Sequence, residues 1–338
     1  MMMNHTLKNQ CKVSPGTIIS GKWHSHNYTI IKELGFGANG VVYLAKHKNT
    51  QVALKMSDNG MSITSEVNVL KSFAKVQGPP TLGPSLLDVD DWQSPRGRIS
   101  FYVMEYIQGP DFLTFIHEKG KTWTSVLFLQ LLNDLDILHE NGWVFGDLKP
   151  ENLIVTGPPP KIRCIDVGGT TIQGRAIKEF TEFYDRGYWG LGSRKAESSY
   201  DLFAVAMIMI NTAYPKRFNK TTGGISQLRE AVRQKPELIK FEKVIVKALQ
   251  GHYTNAKQMR ADLFDMMVEK KITNPPLRST GATNHASIQT QQKNMKGNQP
   301  ASRQAYRRKK KKSGWMEFLF IAVVLGILYA WYTFNNLP

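Results

Sequence analysis

The sequence predicts an α+β fold of two lobes, a β-rich first part and an α-helical second part, followed by one C-terminal transmembrane helix. Three observations carry this expectation. Apolar patterning runs from about residue 28 to 268 without a long polar break, so one large domain accommodates most of the 338 residues. The period of that patterning changes partway along, from the alternation of strands to the spacing of helices. Residues 318–334, FLFIAVVLGILYAWYTF, then form an uncharged apolar run.

Residues 1–27 read as an N-terminal extension. They contain no apolar core of the length that a secretory leader needs, which predicts a folded domain left in the cytoplasm. Strands are expected at YTIIKEL (28–34), GVVYLAK (40–46) and QVALKM (51–56), each rich in β-branched and aromatic residues. A helix is expected around Ile63 to Val76 and another strand at ISFYVMEYI (99–107). Helical periodicity dominates afterwards, over Trp123 to Asn141, Asp201 to Ala213 and Phe241 to Leu249. The folded domain is therefore drawn at 28–272, with no internal repeat.

From 273 to 302 the chain turns to Gln, Asn, Ser and Thr, a composition that cannot bury enough surface to offset its ordering entropy, so this stretch is expected to be a flexible linker. Residues 303–314 are basic and contain the run RRKKKK (307–312). The formal charge of +17 is thus concentrated in a segment and does not describe the whole fold. As a helix, 318–334 would span roughly 26 Å, close to the hydrocarbon thickness of a bilayer. Trp315, Tyr329, Trp331 and Tyr332 lie towards its ends, where amphipathic rings favour the interface, so the membrane helix is placed at 315–334. Every Lys and Arg near it precedes it, which leaves the main domain cytoplasmic and 335–338 as a short tail on the far side. Only Cys11 and Cys164 are present, too few for a disulfide framework, and a reducing compartment fits.

The chemistry-bearing residues come in a fixed order. Gly35, Gly37 and Gly40, in GFGANGVV, lie between two strand-like runs, so they form a hairpin and not the strand-to-helix turn of a dinucleotide fingerprint. Backbone without side chains there can close over phosphate groups. Lys55, in VALK, follows Gly40 by 15 residues. Glu66 lies on the helix after it, so a carboxylate could hold that cation towards a phosphate. MEYI (104–107) closes the last strand of the first lobe. GDLKPEN (146–152) is followed by IDVG (165–168), whose acid comes 19 residues after Asp147.

This ordered set resembles the bacterial Hanks-type, eukaryotic-like serine/threonine protein kinases, over about residues 28 to 268. The resemblance implies a two-lobe kinase fold, ATP and Mg2+ as cofactors, and transfer of the γ-phosphate to Ser or Thr hydroxyls of protein substrates. It implies that Asp147 accepts the proton of the attacking hydroxyl, that Lys149 neutralises charge on the transferred group, and that Asn152 and Asp166 ligate magnesium. Gly35, Gly37, Gly40, Val42, Ala53, Lys55 and Glu66 would bind the nucleotide, with backbone groups of Glu105 and Ile107 on the adenine. Asp201 would brace the catalytic loop through its backbone. Thr170, Thr171, Thr181 and Tyr184 would fall in the activation segment, where self-phosphorylation often occurs.

The sequence departs from the family pattern in three places. Phe145 and Gly146 stand where His and Arg precede the catalytic Asp, which argues against switching through a phosphate bound by that Arg. Val167 replaces the Phe of D-F-G, and the A-P-E signature is missing before Asp201, with His252 where its Arg partner is expected. Loss of both partners together leaves no orphaned charge. Two other readings stay open at this point, a small-molecule or glycan kinase of the same fold and a membrane-bound pseudokinase that senses nucleotide.

The basic segment suits anionic membrane lipids. Lys293, Lys296, Arg303, Arg307, Arg308 and Lys309 to Lys312 also provide nine charges for DNA phosphates without sequence preference. Self-association through the membrane helix stays open, since Gly326 alone makes no packing motif.

Overall fold

The computed structural model describes residues 11–37, 40–77, 82–120 and 122–272. The first lobe is a six-stranded antiparallel sheet built from β1 (Ile18–Ser20), β2 (Asn27–Gly37), β3 (Gly40–His47), β4 (Thr50–Ser57), β5 (Leu86–Ser94) and β6 (Gly97–Glu105). Its strand order is β1-β2-β3-β4-β6-β5. β4 is the central strand, and all six residues from Val52 to Ser57 are buried, because both faces are covered. On one face it meets helix α1 (Gly60–Gln77) through Ile63, Val67, Leu70 and Phe73. The other face carries a second core of Ile19, Tyr28, Ile30, Val41, Tyr43, Leu54 and Phe101.

Residues 11–27 are built into this lobe. Cys11 is fully buried in the second core, the Tyr43 hydroxyl donates to its carbonyl at 3.0 Å, and β1 pairs with β2. A three-residue strand is too short to betray itself by alternation. The sheet begins to close on itself as well, since Gly21 bridges Trp92 and Lys22 N–H donates to the Asp91 carbonyl at 2.8 Å.

The second lobe contains α2 (Phe112–Lys119), α3 (Thr122–Glu140), α4 (Arg186–Trp189), α5 (Ser198–Asn211), α6 (Gly224–Arg233), α7 (Pro236–Ile239), α8 (Glu242–Leu249) and α9 (Ala256–Ile272). Two short ribbons lie among them: β7 (Trp143–Val144) with β10 (Thr171–Ile172), and β8 (Leu153–Thr156) with β9 (Lys161–Cys164). α5 is buried from Tyr200 to Asn211, so it shows no polar stripe and reads from sequence as a continuous apolar run. Asp201 is the one carboxylate on this central helix, and its partners are described below.

Among the described residues no helix is long and apolar enough to cross a membrane. The helix expected at 315–334, the linker 273–302, the basic segment 303–314 and the tail 335–338 lie outside the described residues.

Candidate active site

A cleft of about 500 Å³ opens between the sheet and the helical lobe. The β2–β3 hairpin forms its roof. Gly35, Gly37 and Gly40 line it, and Gly40 is required there: its φ is +137°, and a Cβ would meet the Met56 carbonyl oxygen at 2.2 Å. Val42 and Ala53, which face the cleft from β3 and β4, supply apolar walls.

Lys55 lies on β4 at the inner end. Its Nζ donates to Glu66 Oε2 at 2.6 Å, and the Tyr102 hydroxyl donates to the same oxygen at 2.8 Å. Both ionic side chains are at least nine-tenths buried, so neither is a solvated surface charge. α1 therefore presents Glu66 to the strand as a fixed counter-charge. Burial followed by the Glu66 charge holds the Tyr102 phenol well above its ordinary pKa, which keeps it a hydrogen-bond donor.

The end of β6 closes the cleft with Glu105 and Ile107. Glu105 N–H donates to the Ser85 carbonyl at 2.9 Å, so its carbonyl is the backbone group it has to offer a ligand. Its side chain turns the other way. Arg163 on β9 grips it through two bonds of 3.1 and 2.9 Å and donates a third to the Gly83 carbonyl at 2.8 Å. This fork ties the connection between the lobes to the helical lobe. The Arg163 hydrogen bonds hold the Glu105 carboxyl below its ordinary range, against a smaller opposing effect of burial. A carboxyl with a lower pKa when folded stabilises the fold fully above the unfolded value near 4.5 and loses that contribution as pH falls through the folded value. The melting-temperature gap between wild type and Glu105→Gln should accordingly be open at pH 7 and narrow steadily below pH 4.5.

Below the hairpin lies the loop 145–152. Asp201 organises it: Oδ2 accepts Phe145 N–H at 2.7 Å and Oδ1 accepts Gly146 N–H at 2.9 Å. His139 Nε2 lies 2.8 Å from Oδ2, while its Nδ1 has no partner among the described residues, which assigns the proton to Nε2. Gly146 has φ +88°, and a Cβ there would meet the Gly169 carbonyl oxygen at 2.7 Å. This glycine, where the family places Arg, lets the backbone at Gly169, just before β10, approach closely.

Asp147 carries Lys149 on Oδ2, and the Thr181 hydroxyl donates to Oδ1 at 3.1 Å. Lys149 Nζ lies 3.3 Å from that hydroxyl. Asn152 Nδ2 donates to the Asp147 carbonyl at 3.4 Å, and its side chain borders the cleft beside Asp166. Asp166 is oriented by Gly168 N–H, 2.9 Å from Oδ1. A Cβ at Gly168 would lie 3.2 Å from Asp166 Oδ1 and 3.8 Å from both Glu179 oxygens, so the glycine leaves open a recess faced by two carboxylates. Asp166 and Asn152 present oxygen donors only, the set that suits Mg2+. Val167 is buried, and Gly83 makes room beside it: a Cβ on Gly83 would lie 3.0 Å from Val167 Cγ1 and from the Phe73 ring.

All the residues expected to bind nucleotide line this cleft except Glu66, which reaches it through Lys55. Asp147 and Lys149 sit beyond its walls, next to Asn152 and Thr181. Sequence reasoning missed Glu179, which lines the cleft and whose carboxyl is pushed up by burial and then by the Asp166 charge. It also missed the bond between Thr181 and Asp147, because 34 residues separate them.

The segment lacking A-P-E braces itself differently. Asp185, fully buried, accepts Gly187 N–H, Tyr188 N–H, the Tyr200 hydroxyl and Arg194, at 2.8–3.0 Å. Arg186 pairs with Glu197 at 3.1 Å. His252 is exposed and takes no part.

The protein kinase domain model matches residues 28–289 of the chain. The chain is 50% identical over 338 residues to serine/threonine-protein kinase YabT of Bacillus subtilis (strain 168), spanning 98% of this chain and 99% of that protein. It is 25% identical over 268 residues to sperm motility kinase 3A of Mus musculus, spanning 75% of this chain and 48% of the relative. The solved structure of vaccinia related kinase 3 has the same fold, with a TM-score of 0.56 at 16% identity, covering 80% of this chain and 96% of that chain.

Proposed function

The chain belongs to the protein kinase family, and from that premise we propose a membrane-held serine/threonine kinase in which Asp147 is the catalytic base. It is a serine/threonine protein kinase that uses ATP with Mg2+. The observation that carries the assignment of the base is the cluster of Lys149, Asp147 and Thr181 beside the two oxygen donors Asn152 and Asp166. Asp147 takes the proton of the substrate hydroxyl as its oxygen bonds to the γ-phosphorus and the bond to the β-phosphate oxygen breaks. Lys149 offsets negative charge on the moving group. Lys55, fixed by Glu66, meets the α- and β-phosphates, and Asp166 with Asn152 would hold the metal. Bound Mg2+ supplies positive charge to the phosphate oxygens as they separate. The backbone of Glu105 and Ile107 would take adenine.

Thr170 and Thr171 are buried and Thr181 is engaged with Asp147. Self-phosphorylation is therefore proposed at hydroxyls away from the cleft, presented in trans.

The anchor is proposed at 315–334, on the strength of its uncharged apolar run and the basic residues that all precede it. The kinase domain then faces the cytoplasm, with 303–314 against anionic lipid. A chain ending at Ser313 should appear in the soluble fraction while the full chain resists carbonate extraction from membranes; extraction of both alike would refute the anchor. The same segment is a proposed DNA contact. Binding of duplex DNA by the shortened chain should fall with salt on a log–log slope of up to about −8. No binding at low salt would leave lipid as its partner.

A further inference from the structure

The turn between β1 and β2 is held by an unusual amount of structure for a surface loop. Asp90 on β5 is buried and accepts Trp23 N–H at 2.9 Å and His24 N–H at 2.8 Å. Gly21 is needed beside it, since a Cβ there would lie 2.3 Å from Asp90 Oδ2. This scaffold presents two imidazoles to a second carboxylate of β5. His24 Nδ1 lies 2.7 Å from Asp88 Oδ1, and His26 Nδ1 lies 3.0 Å from Asp88 Oδ2. Asp88 is fixed from its other sides by the Tyr28 hydroxyl at 2.6 Å and Val89 N–H at 2.8 Å. One ligand atom from each of the three residues lies within 4.8 Å of the others.

We propose that His24, His26 and Asp88 bind a borderline divalent cation, Zn2+ in the first instance. Metal–ligand bonds of about 2.0–2.1 Å in tetrahedral geometry place neighbouring donor atoms about 3.3 Å apart. The two histidine nitrogens rest on different oxygens of Asp88, at 2.7 and 3.0 Å, so the ion enters where the three ligand atoms, all within 4.8 Å of one another, converge by rotation of the exposed imidazoles. The histidine side chains are 54% and 49% exposed while that of Asp88 is 7% exposed, so the ion enters from solvent onto a buried carboxylate. Tyr28 and Val89 are the outer partners that orient a ligating carboxylate. Two imidazoles and one carboxylate favour zinc, nickel or cobalt over the oxygen-seeking Mg2+. Three protein ligands leave a fourth position for water. None of the three lines the nucleotide cleft. The ion would clamp the turn 21–26 to β5.

The test uses the full chain in detergent, stripped with chelator and returned to buffer containing Mg2+. Titration with Zn2+ should give one equivalent per chain and raise the melting temperature by several degrees at saturation. His24→Ala and His26→Ala should each weaken that uptake by more than the roughly 10–100-fold typical of losing an outer partner, and should abolish the thermal shift. Phosphoryl transfer with Mg2+ and ATP should be unchanged in both variants, which shows that they fold. Absence of zinc uptake, or uptake and thermal shift unaltered in both histidine variants, would overturn the proposal.

Discussion

Asp147→Asn is expected to lower kcat for phosphoryl transfer by about 10²–10⁴-fold, the range for losing a positioned general base. The amide is nearly isosteric and its oxygen still accepts from Thr181, so the loop keeps its shape. It cannot take a proton at neutral pH, and it presents Lys149 with a neutral partner in place of a carboxylate. Asp147 does not line the nucleotide cleft, so ATP affinity should stay within a factor of a few. The separation is the informative part, because loss of kcat with retained nucleotide binding marks an interaction made in the transition state. Single-turnover transfer beside equilibrium nucleotide binding measures both. An unchanged rate would remove Asp147 from the chemistry.

Asp201→Ala is expected to cost about 3–5 kcal/mol of stability, lowering the melting temperature by roughly 10 °C. Asp201 is fully buried and satisfies Phe145 N–H, Gly146 N–H and His139 Nε2. Alanine leaves all three donors without an acceptor in a dry interior, where each missing bond carries its desolvation penalty. The loop loses its anchor together with the fold's stability, so activity of the residual folded protein should also fall. Calorimetry and a rate per folded molecule check the two effects separately. A variant that melts with the wild type would mean that the carboxylate does not hold the loop.

What was legible in the sequence follows from how locally each feature is encoded. The loop containing Asp147, Lys149 and Asn152 is contiguous, and the chemistry fixes its residue types. Lys55 and Glu66 are 11 residues apart on adjoining elements, and the pair at 2.6 Å joins them as expected. The long elements also lie close to where periodicity put them, with α3 at Thr122–Glu140 for an expected Trp123 to Asn141. β5 escaped notice because LLDVDDWQS holds three acids in nine residues. Two of those acids point to partners distant in sequence, Asp88 and Asp90 to the turn before β2, while Asp91 meets Ser100 across the β5–β6 hairpin. Arg163 and Glu105 are 58 residues apart, and Thr181 is 34 from Asp147. Such pairs are created by tertiary packing, so no short window of sequence contains them. Glu179 likewise reads as one more charge in a loop until the fold turns it into the cleft.

Serine/threonine kinase activity is checked by following labelled γ-phosphate from ATP into protein with the full chain in membranes, then identifying the modified amino acids. Mg2+-dependent phosphoserine and phosphothreonine are expected, abolished by Asp166→Ala. Label in neither residue, or label that persists undiminished in Asp166→Ala, would contradict this assignment.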